Sequence, residues 1–154
     1  MKNGNSGAGD LPNGLYVYLI SLVAAVGGFF LRMMFDENVW QTRALGTPDL
    51  NPAVKFGNGT FIEAVLTFLL VFVFWATVVD ERAPKIAGFG IGLTLCASIL
   101  MGGALTGASL NPARTFGPAL ASGHWSNHLA YWIGPLLGAA AAALLYNGML
   151  LRRR

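Results

Sequence analysis

Charge, cysteine and histidine are all scarce in this chain, and each scarcity excludes a class of function. Only 11% of the 154 residues are Asp, Glu, Lys or Arg, while 55% are hydrophobic; an ordinary soluble domain has about 25% charged and about 45–50% apolar residues. So little charge sets the chain against a water-soluble fold. Ten Lys and Arg against seven Asp and Glu leave a formal charge of +3, but the cations are scattered and form no continuous basic stripe, which argues against nucleic acid as a partner. The lone cysteine, Cys96, has no mate for an intrachain disulfide and no Cys pair for zinc; within its apolar run it reads as a small hydrophobe. Both histidines, His124 and His128, share one short loop with Trp125, where an aromatic interfacial belt is a simpler explanation than a metal site. No metal, no other cofactor and no catalytic residue is expected.

What is abundant is glycine, twenty residues of it, set among apolar runs. That combination fits membrane helices, in which Gly is tolerated and lets backbones approach closely. A crossing needs about 20 apolar residues, so the chain has room for four or five. Residues 1–14 are polar and rich in Gly and Asn, and read as a disordered tail. Apolar runs predict membrane helices at about 15–34, 61–79, 86–104 and 129–151, with a loop of mixed charge at 36–60 and a basic end at 152–154. Arg32 sits near the end of the first run, where it can snorkel to the interface. Gly134-Pro-Leu-Leu-Gly138 has a small-xxx-small spacing suited to close packing inside the bundle.

Four crossings put both termini on one side. Lys2, Arg82, Lys85 and Arg152–Arg154 fall on that side, against Arg43 and Lys55 opposite and Arg32 at the border, so both termini are predicted to be cytoplasmic.

Residues 105–121, LTGASLNPARTFGPALA, are too broken by Gly, Asn and Pro to cross a bilayer. Asn111 is a favoured helix N-cap, and Pro112 suits the first helical position because its missing N–H would be unpaired there anyway. A helix over about 112–120 rises about 14 Å, roughly half the hydrocarbon thickness. The segment is therefore predicted to be a re-entrant half-helix. Irregular backbone at membrane depth is tolerated only when buried in protein or lining a wet cavity, so 107–110 should present carbonyls to a pore. The half-helix N-terminus would add partial positive charge, and the Asn111 amide could donate to a passing water. Arg114 either lines that pore or anchors at the interface; Glu63, just inside its run, either faces headgroups or is a buried functional carboxylate.

These residues resemble the aquaporin, or major intrinsic protein, family. GASLNPARTFGPAL is similar to the second Asn-Pro-Ala loop of that family, HWSNHLAYWIGPLLGA (124–139) to its entry into the sixth span, and NGTFIEAVLTFLLVFVFWATVVD (58–80) to its fourth span. The fifth span at 86–104 and the third, YVYLISLVAAVGGFFL (16–31), match more loosely. The resemblance implies that Asn111, Pro112 and Ala113 form the pore motif, Arg114 the arginine of the outer filter, and Ala108 a loop carbonyl and small wall. Ile99 would occupy the fifth-span filter position, twelve residues before Asn111, where strict water channels of the family carry His. An Ile there resembles plant vacuolar-type members and implies a wider, less polar filter. Glu63 would brace the re-entrant loop from behind.

A second Asn-Pro-Ala, at 51–53, is not the partner such a pore needs. Two predicted spans separate it from Asn111, so both segments would enter from the same side, and Val54–Gly59 offers no apolar half-helix. It reads instead as the loop between the third and fourth spans. By this alignment the first two spans and first Asn-Pro-Ala loop have no counterpart here. The expected fold is thus an all-α integral membrane protein, an incomplete aquaporin-like bundle over 15–151. The expected function is passive conduction of water and small neutral solutes, with the isolated chain truncated and inactive unless it associates with copies of itself or a longer relative in the lipid bilayer. An assembly or regulatory subunit docking on full-length channels is the alternative. An intramembrane hydrolase using Ser109 fails for want of a His inside any span to act as base, so the chain is not expected to be an enzyme.

Overall fold

A computed structural model describes residues 13–82 and 86–151. Expectations for the polar tail before residue 13 and for the basic end at 152–154 lie outside the described residues, as does Lys85. Everything regular among the described residues is helical: α1 (Asn13–Met34), α2 (Glu37–Arg43), α3 (Phe56–Phe74), α4 (Ala87–Thr106), α5 (Pro112–Ser122) and α6 (Ala130–Tyr146). α3 and α6 each continue into a wider π-helical turn, at Trp75–Val79 and Asn147–Leu151. Phe56–Val79, Ala87–Thr106 and Ala130–Leu150 are long and apolar enough to cross a membrane. α1 has 22 residues, a length of about 33 Å.

The stretch 36–60 is more ordered than the loop its composition suggests. α2 occupies its first third, with Glu37 in the first turn, Arg43 in the last and a Gln41 to Glu37 side-chain bond of 2.8 Å along one face; acid at the start and base at the end both complement the helix dipole. α3 begins at Phe56, five residues before the apolar run proper, with Gly59 buried against Leu50.

Small residues decide which helices pair. On α6, a Cβ at Gly138 would overlap the Ala64 carbonyl of α3, and one at Gly134 would lie 2.6 Å from the Thr60 carbonyl oxygen. On α5, a Cβ at Gly117 would overlap the Ala24 carbonyl of α1. Glycine thus lets these backbones touch, the usual basis of helix association where lipid tails are as apolar as side chains. α4 packs on α3, with Gly102 facing Leu66.

Burial is inverted relative to a soluble protein. Glu63, Thr106 and Thr115 are fully enclosed, whereas Phe89 is 72% exposed and Leu100 82% exposed. Arg32, exposed near the end of α1, is also tied to a neighbouring helix. Its guanidinium donates to the Ala121 carbonyl at 3.0 Å and lies over the Trp40 ring, which supplies a donor to the C-terminal end of α5, where carbonyls lack helical partners. At the opposite end of the bundle, Asp80 receives the Arg82 guanidinium and the Tyr146 hydroxyl (3.0 Å). The Arg82 hydrogen bonds hold the Asp80 carboxyl far below the usual range.

Candidate functional site

α4 stops at Thr106 because Gly107 turns left-handed (φ 77°), a conformation that costs glycine nothing. The chain then runs irregularly to Asn111, with Ala108 (φ 43°) and Leu110 (φ 56°) also left-handed. Non-glycine residues hold such angles only where their surroundings impose them, and here the agent is Glu63. Its Oε1 accepts from the Ser109 N–H at 2.9 Å and the Thr106 hydroxyl at 2.6 Å, and its Oε2 accepts from the Leu110 N–H at 2.8 Å. The Ala108 N–H donates to Thr106 Oγ1 at 3.2 Å. The peptide bonds of the described residues are all trans, so the carbonyls of Ala108 and Ser109 lie anti to the two N–H groups bound by the carboxylate and point away from it.

Asn111 sits at the end of this segment in extended conformation and caps α5, its Oδ1 accepting from the Ala113 N–H at 2.9 Å. Pro112 takes the first helical position. With Oδ1 turned inward to the backbone, the amide nitrogen faces out, and Asn111 is exposed. Ser109 is used structurally: its hydroxyl donates to the Asn111 carbonyl at 2.9 Å and lies 2.5 Å from the Thr115 hydroxyl. No imidazole approaches it in that set, which removes the basis for a nucleophile. α5 ends at Ser122, where Gly123 turns left-handed, so the helix is short, two residues longer than the 112–120 expected from the sequence.

The network therefore joins Glu63, Ala108 and Asn111 through Thr106, Ser109 and Leu110. Arg114, in the first turn of α5, is exposed and lies outside it. Ile99 is also outside it, half exposed on α4 and packed beside Gly103. Two members had no local signature in the sequence. Thr106 is a lone hydroxyl at the end of an apolar run, and Tyr131, fully buried at the start of α6, donates its hydroxyl to the Thr106 carbonyl at 2.8 Å.

A second cluster lies where residues 47–51 meet the end of α5. Asp49 accepts from the Asn127 amide at 3.0 Å and pairs with His124 Nε2 at 2.8 Å. Partial burial works to raise the Asp49 carboxyl, but the hydrogen bonds from Asn127 and His124 outweigh it and hold the group below its ordinary value. His128 is pushed down by burial; its Nε2 accepts from Trp132 Nε1 at 3.0 Å, and its ring meets Trp125 edge-on.

Residues 13–146 match the sequence pattern of the family described as Major intrinsic protein. Aquaporin TIP4-1 of Arabidopsis thaliana is 45% identical over 117 residues, 73% of this chain and 47% of that protein. Aquaporin TIP1-2 of Musa acuminata is 49% identical over 143 residues, 91% of this chain and 55% of the relative. The chain spans about half the length of these relatives. In fold it is similar to the X-ray structure of the aquaglyceroporin from Plasmodium falciparum, with a TM-score of 0.65 at 20% identity, covering 90% of this chain and 64% of that one.

Proposed function

The chain belongs to the major intrinsic protein family, whose members are membrane channels and not enzymes, and we propose that it supplies one half of a pore passing water and small neutral solutes. Conduction is passive and needs no cofactor. In this reading α1, α3, α4 and α6 cross the bilayer, α5 is the re-entrant half-helix, residues 15–151 form one membrane domain, and both termini are cytoplasmic.

The observation that carries the proposal is the grip of Glu63 on the 109 and 110 amides. A carboxylate behind the loop turns consecutive carbonyls toward the opposite side, where they form acceptors for water in single file. Asn111 adds a donor at the end of that row, and the α5 N-terminus beside it carries partial positive charge. Cations meet that charge and the Arg114 guanidinium, so they are disfavoured while neutral solutes pass. Ala108, its small side chain buried beside Leu66 and Leu110, contributes its carbonyl, and Ile99 makes the filter apolar on its side.

Such a pore needs a second wall. Phe89, Leu93, Leu100 and Met101 of α4 are 61–82% exposed, and we place against them a complementary set of helices from a longer relative or a second copy. The isolated chain is then inactive. The same faces support a second reading, in which the chain is an assembly subunit that docks on full-length channels.

Stopped-flow shrinkage of proteoliposomes separates these. The chain alone is expected to match empty vesicles, and co-reconstitution with the amino-terminal spans of a TIP relative is expected to produce flux that Asn111→Asp or Arg114→Glu abolishes. Flux from the chain alone overturns the inactivity, and absence of flux in every combination overturns the pore. Co-purification with a full-length relative, without any effect of Asn111→Asp on flux, favours the docking subunit.

A further inference from the structure

The Asn-Pro-Ala at 51–53 has no part in the pore proposed above, yet Asn51 is engaged at every polar atom of its side chain. Its Nδ2 donates to the Ala104 carbonyl at 3.2 Å, its backbone N–H donates to the Leu105 carbonyl at 2.8 Å, and its Oδ1 accepts from the Ala53 N–H at 3.0 Å. An α-helix leaves its last four carbonyls without helical donors, here those of residues 103–106 at the end of α4. Gly103 O is taken by Gly107 N–H at 3.0 Å, Thr106 O by the Tyr131 hydroxyl, and the two between them by Asn51. One residue, 53 positions away in sequence from Ala104, thus supplies half of the cap.

The cap is also where the pore loop departs. A Cβ on Gly107 would lie 3.0 Å from Pro48 Cβ, so the strap carrying Asn51 is seated directly on the turn that launches 107–110. The strap is held at its other side by Thr47 to Ser122 (3.2 Å) and by Asp49 to His124 and Asn127. It therefore bridges the end of α4 and the end of α5, the two helices that flank the loop.

We infer that Asn51 is a positioning residue for the 107–110 carbonyl loop, fixing from the strap side what Glu63 fixes from behind. The inference rests on the pore reading for its functional meaning, but its structural content can be read without flux. Asn51→Asp keeps the acceptor for Ala53 and replaces the donor to Ala104 by a carboxylate oxygen that faces a carbonyl. Asn51→Ala removes both.

The test is hydrogen–deuterium exchange of the 154-residue chain in lipid nanodiscs, followed on peptides covering 104–112 and, as controls, α3 and α6. In Asn51→Asp the amides of 107–110 are expected to exchange roughly two- to tenfold faster, the effect of losing about one hydrogen bond, while α3 and α6 are unchanged. In Asn51→Ala the 52–54 turn loosens as well. Wild-type exchange at 107–110 in Asn51→Asp overturns the inference, and so does uniform acceleration across all helices, which marks general destabilisation. In a conducting assembly the glycerol-to-water permeability ratio is expected to rise in Asn51→Asp; an assembly whose wild type conducts nothing overturns the pore reading while the exchange data still judge Asn51.

Discussion

Asn51-Pro52-Ala53 and Asn111-Pro112-Ala113 share a tripeptide and a local geometry, and the fold puts them to opposite uses. In both, the Asn Oδ1 accepts from the Ala N–H, at 3.0 and 2.9 Å. After Ala113 come Arg-Thr-Phe-Gly-Pro-Ala-Leu-Ala, whose small members let α5 lie against α1, so the cap starts a helix. After Ala53 come only Val54 and Lys55 before α3 begins, so the same cap closes a turn. The amide nitrogens diverge accordingly. That of Asn51 is committed to the end of another helix; that of Asn111 faces outward. A short motif fixes its own turn, and its neighbours in space decide what the remaining polar atom meets.

The largest separation between the two segments is expected at Glu63, which supports only the second. Glu63→Ala strands two backbone N–H groups and a hydroxyl in a fully buried site. At about 1–3 kcal/mol for each unsatisfied group, thermal unfolding in detergent should show a loss of several kcal/mol. Glu63→Gln should cost less, since it retains one acceptor. Retention of wild-type stability by Glu63→Ala would mean that the loop is not held from behind.

Next in size is the cap itself. Asn111→Ala should lower stability by about 1 kcal/mol through lost capping of α5 and abolish flux in a conducting assembly; Asn51→Ala should change stability by a similar or smaller amount and leave flux measurable but less selective. Equal loss of flux from both would erase the distinction between the segments.

Acid should act on the first segment through Asp49. Asp49 has a folded pKa below its model-compound value of 3.8, so the stability its contacts add is fully present above that value and disappears as pH falls through the lower, folded one. The difference in thermal midpoint between wild type and Asp49→Asn should shrink as pH falls below about 4. The pair is partly exposed, so the effect is under about 1 kcal/mol. A difference that grows on acidification would reverse the assignment. The smallest effect belongs to Pro52→Ala, within about 0.5 kcal/mol, because Pro52 is exposed in a turn.

Much of this was legible in the residues. The apolar runs locate α3, α4 and α6 to within a few positions, and the Asn-Pro start locates the beginning of α5, because helix entry is chosen by side chains a few residues apart. α2 was not legible: its seven residues carry no apolar stripe, and its Trp40 meets the Arg32 guanidinium of α1, a contact no local pattern records. Glu63 was marked by its isolation in an apolar run, whereas Tyr131, Thr106 and Asn51 look ordinary in their own neighbourhoods.

By itself the sequence determined that this is a membrane chain, where its long apolar helices lie and where α5 starts, since hydropathy and capping act over one or two turns. Only the tertiary structure decided that Arg32 caps α5, that Asp49 meets His124 across 75 positions, and that Asn51 completes the end of α4. The physical reason is the same in each case. Backbone carbonyls at helix ends must find donors, and no local pattern records which distant side chain will arrive to supply them.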